Sequence, residues 1–128
     1  MTLPTEALDV SVLVPAKDEV ENLPEFARLC DEALRGAPFT VEVIVVDDGS
    51  RDDSAQVLKE LAERYPFLRV VQHRVQRGIA DALRSASDVA RGDVFVFYPA
   101  DLQYLPADIP ALVAPILAGQ ADVVTGTK

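Results

Sequence analysis

One stretch restricts the fold more than any other. Val41-Glu42-Val43-Ile44-Val45-Val46-Asp47-Asp48-Gly49-Ser50 is a β-branched apolar run that stops at two carboxylates, a glycine and a hydroxyl. A nearly unbroken run of valine and isoleucine suits a strand covered on both faces, as parallel strands are. The acids then stand at its carboxyl end, and in open α/β sheets ligands bind in the crevice beyond those ends. Taken alone, the loop reads equally well as a turn in which Asp52 or Asp53 caps a following helix.

The flanking sequence repeats the theme of strand followed by helix. Val10 to Val14 predicts a short strand closed by Pro15. Asn22-Leu23-Pro24-Glu25 predicts a helix start with Asn22 as cap, and Leu23, Phe26, Ala27, Cys30 and Leu34 keep helical spacing up to Gly36. After the acidic loop, a helix is expected from Asp53 to Arg64 and a strand from Leu68 to Gln72. Gly78 precedes a third helical stripe of Ile79, Ala82, Leu83, Ala86 and Ala90, stopped by Gly92. Asp93 to Tyr98 reads as a fourth strand ended by Pro99, Ile109 to Leu117 as a fourth helix, and Ala121 to Thr125 as a fifth strand. Such alternation predicts an α/β fold with a mainly parallel sheet.

At 128 residues the chain is expected to be a single domain with a core of its own. Hydrophobic residues at 49% and charged residues at 26% place it among globular proteins rather than disordered ones. The longest apolar runs are of strand length and the start lacks the order of a signal peptide, so no membrane span and a cytoplasmic location are expected. A net charge of −9 argues against nucleic-acid binding, which rests on Lys and Arg neutralising phosphates. Cys30, on an apolar helix face, reads as a buried thiol, and His73 at a strand end as structural or surface, so a His- or Cys-based metal site is not expected.

A second acid, Asp101, follows the fourth strand and belongs to the same sheet edge as Asp47 and Asp48. Carboxylates from separate strand ends suit a hard divalent cation, which takes one or two of them together with the phosphates of a substrate. The same residues also read as a loop acid and a surface amide, Gln103, ahead of a helix begun by Pro106.

Five motifs in order, Val12-Leu-Val-Pro-Ala-Lys-Asp-Glu19, Val45-Val-Asp-Asp-Gly-Ser-Arg-Asp52, Gly78-Ile-Ala-Asp-Ala82, Arg91-Gly-Asp93 and Ala100-Asp-Leu-Gln103 with Pro106, close on Gly126-Thr-Lys128. The set resembles family 2 glycosyltransferases, with most likeness to the branch acting on polyprenol or dolichol phosphate. The resemblance implies a GT-A fold, a Rossmann-like three-layer α/β/α sandwich, over residues 1–128. It implies transfer of a sugar, with inversion, from a nucleotide-diphosphate donor to an acceptor such as a polyprenyl phosphate, at the cytoplasmic face of a membrane. Pro15, Ala16 and Glu19 would line the nucleoside pocket, Asp47 would bond the base, and Asp48, Gly49 and Ser50 would shape that loop. Gly78 would precede the third helix, and Asp101, with Gln103 beside it, would bind Mg²⁺ or Mn²⁺ facing the diphosphate.

The departures are specific. Pro99 takes the place of the first acid of the family's Asp-x-Asp motif, which should weaken metal binding. Lys17 replaces the usual aromatic, Asp18 the usual Asn, and Gln76 the Asn before the third-helix glycine; Lys17 would bring positive charge near the phosphates. The acceptor-side half, with its general base, is expected beyond residue 128, so no catalytic base is assigned. The alternative is a non-catalytic nucleotide-binding or scaffold domain. An uncovered last strand leaves homo-oligomerisation open.

Overall fold

The computed structural model describes residues 7–102, 105–122 and 124. Four parallel strands, β1 (Leu8–Ala16), β2 (Val41–Asp48), β3 (Leu68–His73) and β4 (Gly92–Phe97), lie in the order β3-β2-β1-β4. Helices α1 (Leu23–Leu34), α2 (Ser54–Arg64), α3 (Ile79–Val89) and α4 (Ile109–Leu117) connect or follow them, with a 3₁₀ turn at Pro106–Asp108 leading into α4.

Side-chain alternation divides the core in two. Val10, Val12, Val14 and Ala16 of β1 and Val43 and Val45 of β2 pack with residues of α1, α2 and α4, including Phe26, Leu58 and Val113. Leu13, Ile44 and Val46 face the opposite way, onto Ala82 and Ala86 of α3. Alanines at these α3 positions bring the helix close to the sheet, and burial on both faces explains the uninterrupted valines and isoleucine of β2. Helix α3 covers β1 and β2 but not β4, leaving Phe95 and Phe97 half exposed.

The strand order reverses beside β1: β2 and β3 lie on one side and β4 on the other. The reversal makes the gap between the carboxyl ends of β1 and β4 the topological switch point of the sheet. Two prolines keep that gap open. Val10 N–H donates toward β2, to Thr40, whereas Leu13 C=O accepts from Tyr98 on the β4 side. Alternation therefore turns the nitrogen of Pro15 toward β4, where it has no hydrogen to donate, and Pro99 follows directly after Tyr98. The β1–β4 ladder stops there.

Several boundaries differ from those expected. Pro15 lies within β1, paired in register with Val46, because its missing N–H falls on the side where pairing has ended. Gly92 begins β4 instead of stopping α3, which ends at Val89 as Ala90 turns extended. Asn22 occupies the cap position of α1 but makes no side-chain cap bond; its amide donates to Glu19 Oε2 at 2.8 Å. The expected fifth strand falls partly outside the described residues, and Ala121, Asp122 and Val124 are not in a strand.

Candidate functional site

A hollow of about 400 Å³ occupies the switch point. Pro15, Ala16, Lys17 and Glu19 line it from the end of β1, and Phe97, Pro99, Ala100 and Asp101 from the end of β4. Asp48 closes it from β2, and Gln76, Gly78 and Ile79 from the β3–α3 loop. A larger groove of about 600 Å³ runs between α2 and β3. It is more open, lies along the outer edge strand away from the switch point, and gathers none of the acids discussed above, so it is not the candidate site.

Asp47 and Asp48 are successive strand residues and point to opposite faces. Asp48 turns to the α3 side, where Oδ1 accepts from His73 Nδ1 at 2.8 Å and Arg77 N–H at 2.9 Å, and Oδ2 accepts from Gly78 N–H at 2.9 Å. Burial alone would raise its pKa, but these hydrogen bonds outweigh burial and hold the carboxyl below the usual carboxylate range. His73 is buried, and its Nε2 lies 2.7 Å from Ser85 Oγ of α3, so the ring fastens Asp48 to the helix behind the hollow.

Asp47 turns the other way and is only 1% exposed. It accepts from Gln72 Nε2 at 3.1 Å and from Ser50 N–H at 3.2 Å, and it does not line the hollow. Gly49 lies between loops: at φ +74° it passes so near the β3–α3 loop that an added Cβ would meet Gln76 N at 2.4 Å. Gly78, at φ +101°, also adopts a backbone that side chains disfavour, and it does so where its N–H meets Asp48.

The loops after β1 and β2 are clasped together. Asp18, itself at φ +53°, accepts from Arg51 N–H at 2.8 Å and donates its own N–H to Ser50 Oγ at 2.9 Å. Glu19 N–H donates to Ser54 Oγ at 3.2 Å. The clasp fixes the segment that presents Lys17 and Glu19. Asp18 acts here through its carboxylate oxygen, a role that an asparagine side-chain oxygen would also fill.

Of the residues singled out by sequence, Pro15, Ala16, Glu19, Asp48, Gly78 and Asp101 meet at the hollow, while Asp47, Gly49 and Ser50 stand behind it. Gln103 lies outside the described residues. Sequence reasoning missed the part of His73 in holding Asp48 and the bond from Lys17 Nζ to Gln76 Oε1 at 2.6 Å. Only the change of type at positions 17 and 76 hinted at that bond. Cys30 is fully buried and its thiol is pushed up to about 12 by burial, which makes it inert.

No group of three or more His, Cys, Asp or Glu able to hold a metal ion occurs among the described residues. In the hollow, Asp48 accepts from three donors and Glu19 from the Asn22 amide, while Asp101 presents a carboxylate from the β4 side, an oxygen ligand of the type a hard cation takes. One such carboxylate fits Mg²⁺ or Mn²⁺ when substrate phosphates and water complete the shell.

Residues 11–128 match the description of glycosyl transferase family 2. The chain belongs to that family. It is 41% identical over 120 residues to an undecaprenyl-phosphate 4-deoxy-4-formamido-L-arabinose transferase of Pseudomonas savastanoi pv. phaseolicola, covering 92% of this chain and 35% of the relative. It is 37% identical over 121 residues to a dolichol-phosphate mannosyltransferase of Pyrococcus furiosus, covering 94% of this chain and 33% of the relative. The family 2 chain thus spans about a third of the length of these relatives. Among solved structures, the mannosyltransferase PcManGT of Pyrobaculum calidifontis, in complex with GDP-Man and Mn²⁺, superposes with a TM-score of 0.66 at 32% identity, covering 77% of this chain and 29% of that one. The S. aureus protein TarS shares the fold with a TM-score of 0.72 at 22% identity, covering 87% of this chain and 32% of that one. The family 2 chain therefore has the α/β architecture of GT-A glycosyltransferases.

Proposed function

We propose that this chain is the donor-binding part of a glycosyltransferase that moves a sugar, with inversion, from a nucleotide diphosphate to a polyprenyl phosphate. The observation that carries the reading is the hollow at the switch point, where Asp48 and Asp101 from separate strand ends meet a loop built from Pro15 to Glu19. Family membership and the polyprenyl-phosphate specificity named for two relatives support it.

In this reading Pro15, Ala16 and Glu19 hold the nucleoside, and Asp48 fixes the β3–α3 loop that closes over the donor. Asp47, Gly49 and Ser50 brace that floor from behind. Asp101, with Gln103 beside it, holds the divalent cation, which when bound neutralises the departing diphosphate. The cation is proposed to be Mg²⁺ or Mn²⁺, since PcManGT and a mycobacterial glucosyl-3-phosphoglycerate synthase were solved with Mn²⁺. The base that deprotonates the acceptor is assigned to the additional length seen in the relatives. No helix among the described residues is long and apolar enough to cross a membrane. We place the chain on the cytoplasmic face, next to a membrane-borne acceptor.

Calorimetric titration with UDP- and GDP-sugars, with and without Mn²⁺, tests the reading. Saturable binding strengthened by Mn²⁺ is the expected result, and no binding of either donor contradicts it. Pro99 favours a second reading, a nucleotide-binding scaffold without chemistry. Asp101→Ala separates the two: it weakens Mn²⁺-supported binding about tenfold or more if the cation bridges donor and protein, and leaves affinity unchanged in the scaffold.

A further inference from the structure

Lys17 is the one cationic side chain among the described residues that line the hollow, where Glu19, Asp48 and Asp101 bring three carboxylates. Half-buried, it has a single partner among those residues: the side-chain oxygen of Gln76, a neutral amide 2.6 Å from Nζ. An ammonium has three donor hydrogens. One is therefore spent holding the side chain in place, and the others remain for a ligand. Gln76 is in turn fixed, because its backbone packs against Gly49 and the next two N–H groups, of Arg77 and Gly78, are bound by Asp48. The cation is thus delivered into the hollow from a braced position.

The charge balance gives that position a use. With Pro99 where a second carboxylate would stand, a cation beside Asp101 would have few other fixed ligands and would be held weakly, so its charge would be absent from the site for part of the time. A lysine ammonium is a compact point charge suited to phosphate oxygens.

We propose that Lys17, steadied by Gln76, binds the diphosphate of the donor directly and supplies charge that the cation site lacks. The proposal rests on the donor-site reading above. It makes nucleotide diphosphate binding partly independent of metal, with the metal-free component carried by Lys17.

Calorimetry with GDP and UDP, and with guanosine and uridine as phosphate-free controls, tests it in EDTA and in Mn²⁺. In EDTA, Lys17→Met should weaken binding of the preferred diphosphate about tenfold or more while leaving its nucleoside within twofold. In Mn²⁺ the loss should shrink to a few fold. Lys17→Arg, which keeps the charge, should retain most of the affinity, and Gln76→Leu should lose a few fold by releasing the side chain. Thermal melts of each variant register any change in folding. Equal loss of nucleoside and diphosphate, or unchanged diphosphate binding in Lys17→Met, overturns the proposal while the donor site stands. Strict dependence of wild-type diphosphate binding on Mn²⁺ also overturns it. Absence of any nucleotide binding, with or without Mn²⁺, overturns the donor-site reading and this proposal together.

Discussion

Strand β2 carries two buried acids on its α3 face, Glu42 near its start and Asp48 at its end, and the two ends of the sheet treat them differently. Glu42 accepts from Ser11 Oγ at 2.6 Å, Arg69 Nη1 at 2.7 Å, Arg91 N–H at 2.6 Å and Arg91 Nε at 3.3 Å. Ser11 Oγ accepts from Gly92 N–H, and Arg69 also donates to Val89 C=O, so the cluster ties the starts of all four strands to the end of α3. Asp48 is held by a histidine and two backbone N–H groups, with no guanidinium in the set, and it borders an open hollow. Both carboxyls lie below the usual range because hydrogen bonding outweighs the burial that would raise them. The lesson is that a depressed carboxylate does not mark a site. Whether its surroundings are closed by fixed charge or left open at a switch point separates structure from function.

Substitution at the closed end should have the largest effect on stability. Glu42→Ala leaves Arg69 and Arg91 without their counter-charge. It should cost about 3 kcal/mol, toward the low end for a broken buried pair because Arg69 keeps contact with water. Denaturant unfolding checks the size, and nucleotide affinity of the folded fraction should be unchanged. At the open end, Gly49→Ala places a methyl group against the backbone of Gln76 at φ +74°, for an expected loss of about 2 kcal/mol. Here affinity should fall as well, since the β3–α3 loop must move.

Asp48→Asn sharpens the contrast further. An amide offers one oxygen where three donors converge, so at least one part-buried N–H loses its acceptor and stability falls by about 1–2 kcal/mol. The loop carrying Gln76 and Gly78 loosens, and affinity should drop more than the stability change suggests. Acid should show the smallest effect of the four. Both carboxyls are depressed in the folded chain, so the unfolded chain takes up protons first. Their stabilisation is complete above the ordinary carboxylate range and is lost as pH falls through the depressed values. Thermal melts from pH 7 downward should therefore stay level until that range and then fall. Glu42→Gln should flatten the fall more than Asp48→Asn does, because the closed cluster includes two arginines.

Much of this arrangement could be read from the residues. The apolar run of β2, the alanine stripe of α3 and the proline after β4 announce a parallel sheet with acids at its carboxyl edge, and the sheet has that form. Strand order could not be read, because periodicity says which face a strand buries and nothing about its neighbour. The pairing of β1 with β4, which creates the hollow, is a tertiary outcome. The division of labour between Asp47 and Asp48 was available from strand alternation alone, once the face covered by α3 is known. Glu42 left a signal that passed unread: an acid within an otherwise apolar strand, matched by Arg69 and Arg91 at the starts of two others. The clasp made by Asp18 depends on a positive φ that an aspartate rarely adopts, and no local pattern announces it.

The account is tested most directly by following backbone amide resonances at both ends of the sheet while a nucleotide diphosphate is titrated in the presence of Mn²⁺. The amides of Lys17, Asp48, Gly78 and Asp101 should shift together along one saturable curve, while those of Ser11, Glu42 and Gly92 stay in place. Shifts centred on the Glu42 cluster, or saturable binding that leaves the Asp48 and Asp101 amides unmoved, would contradict it.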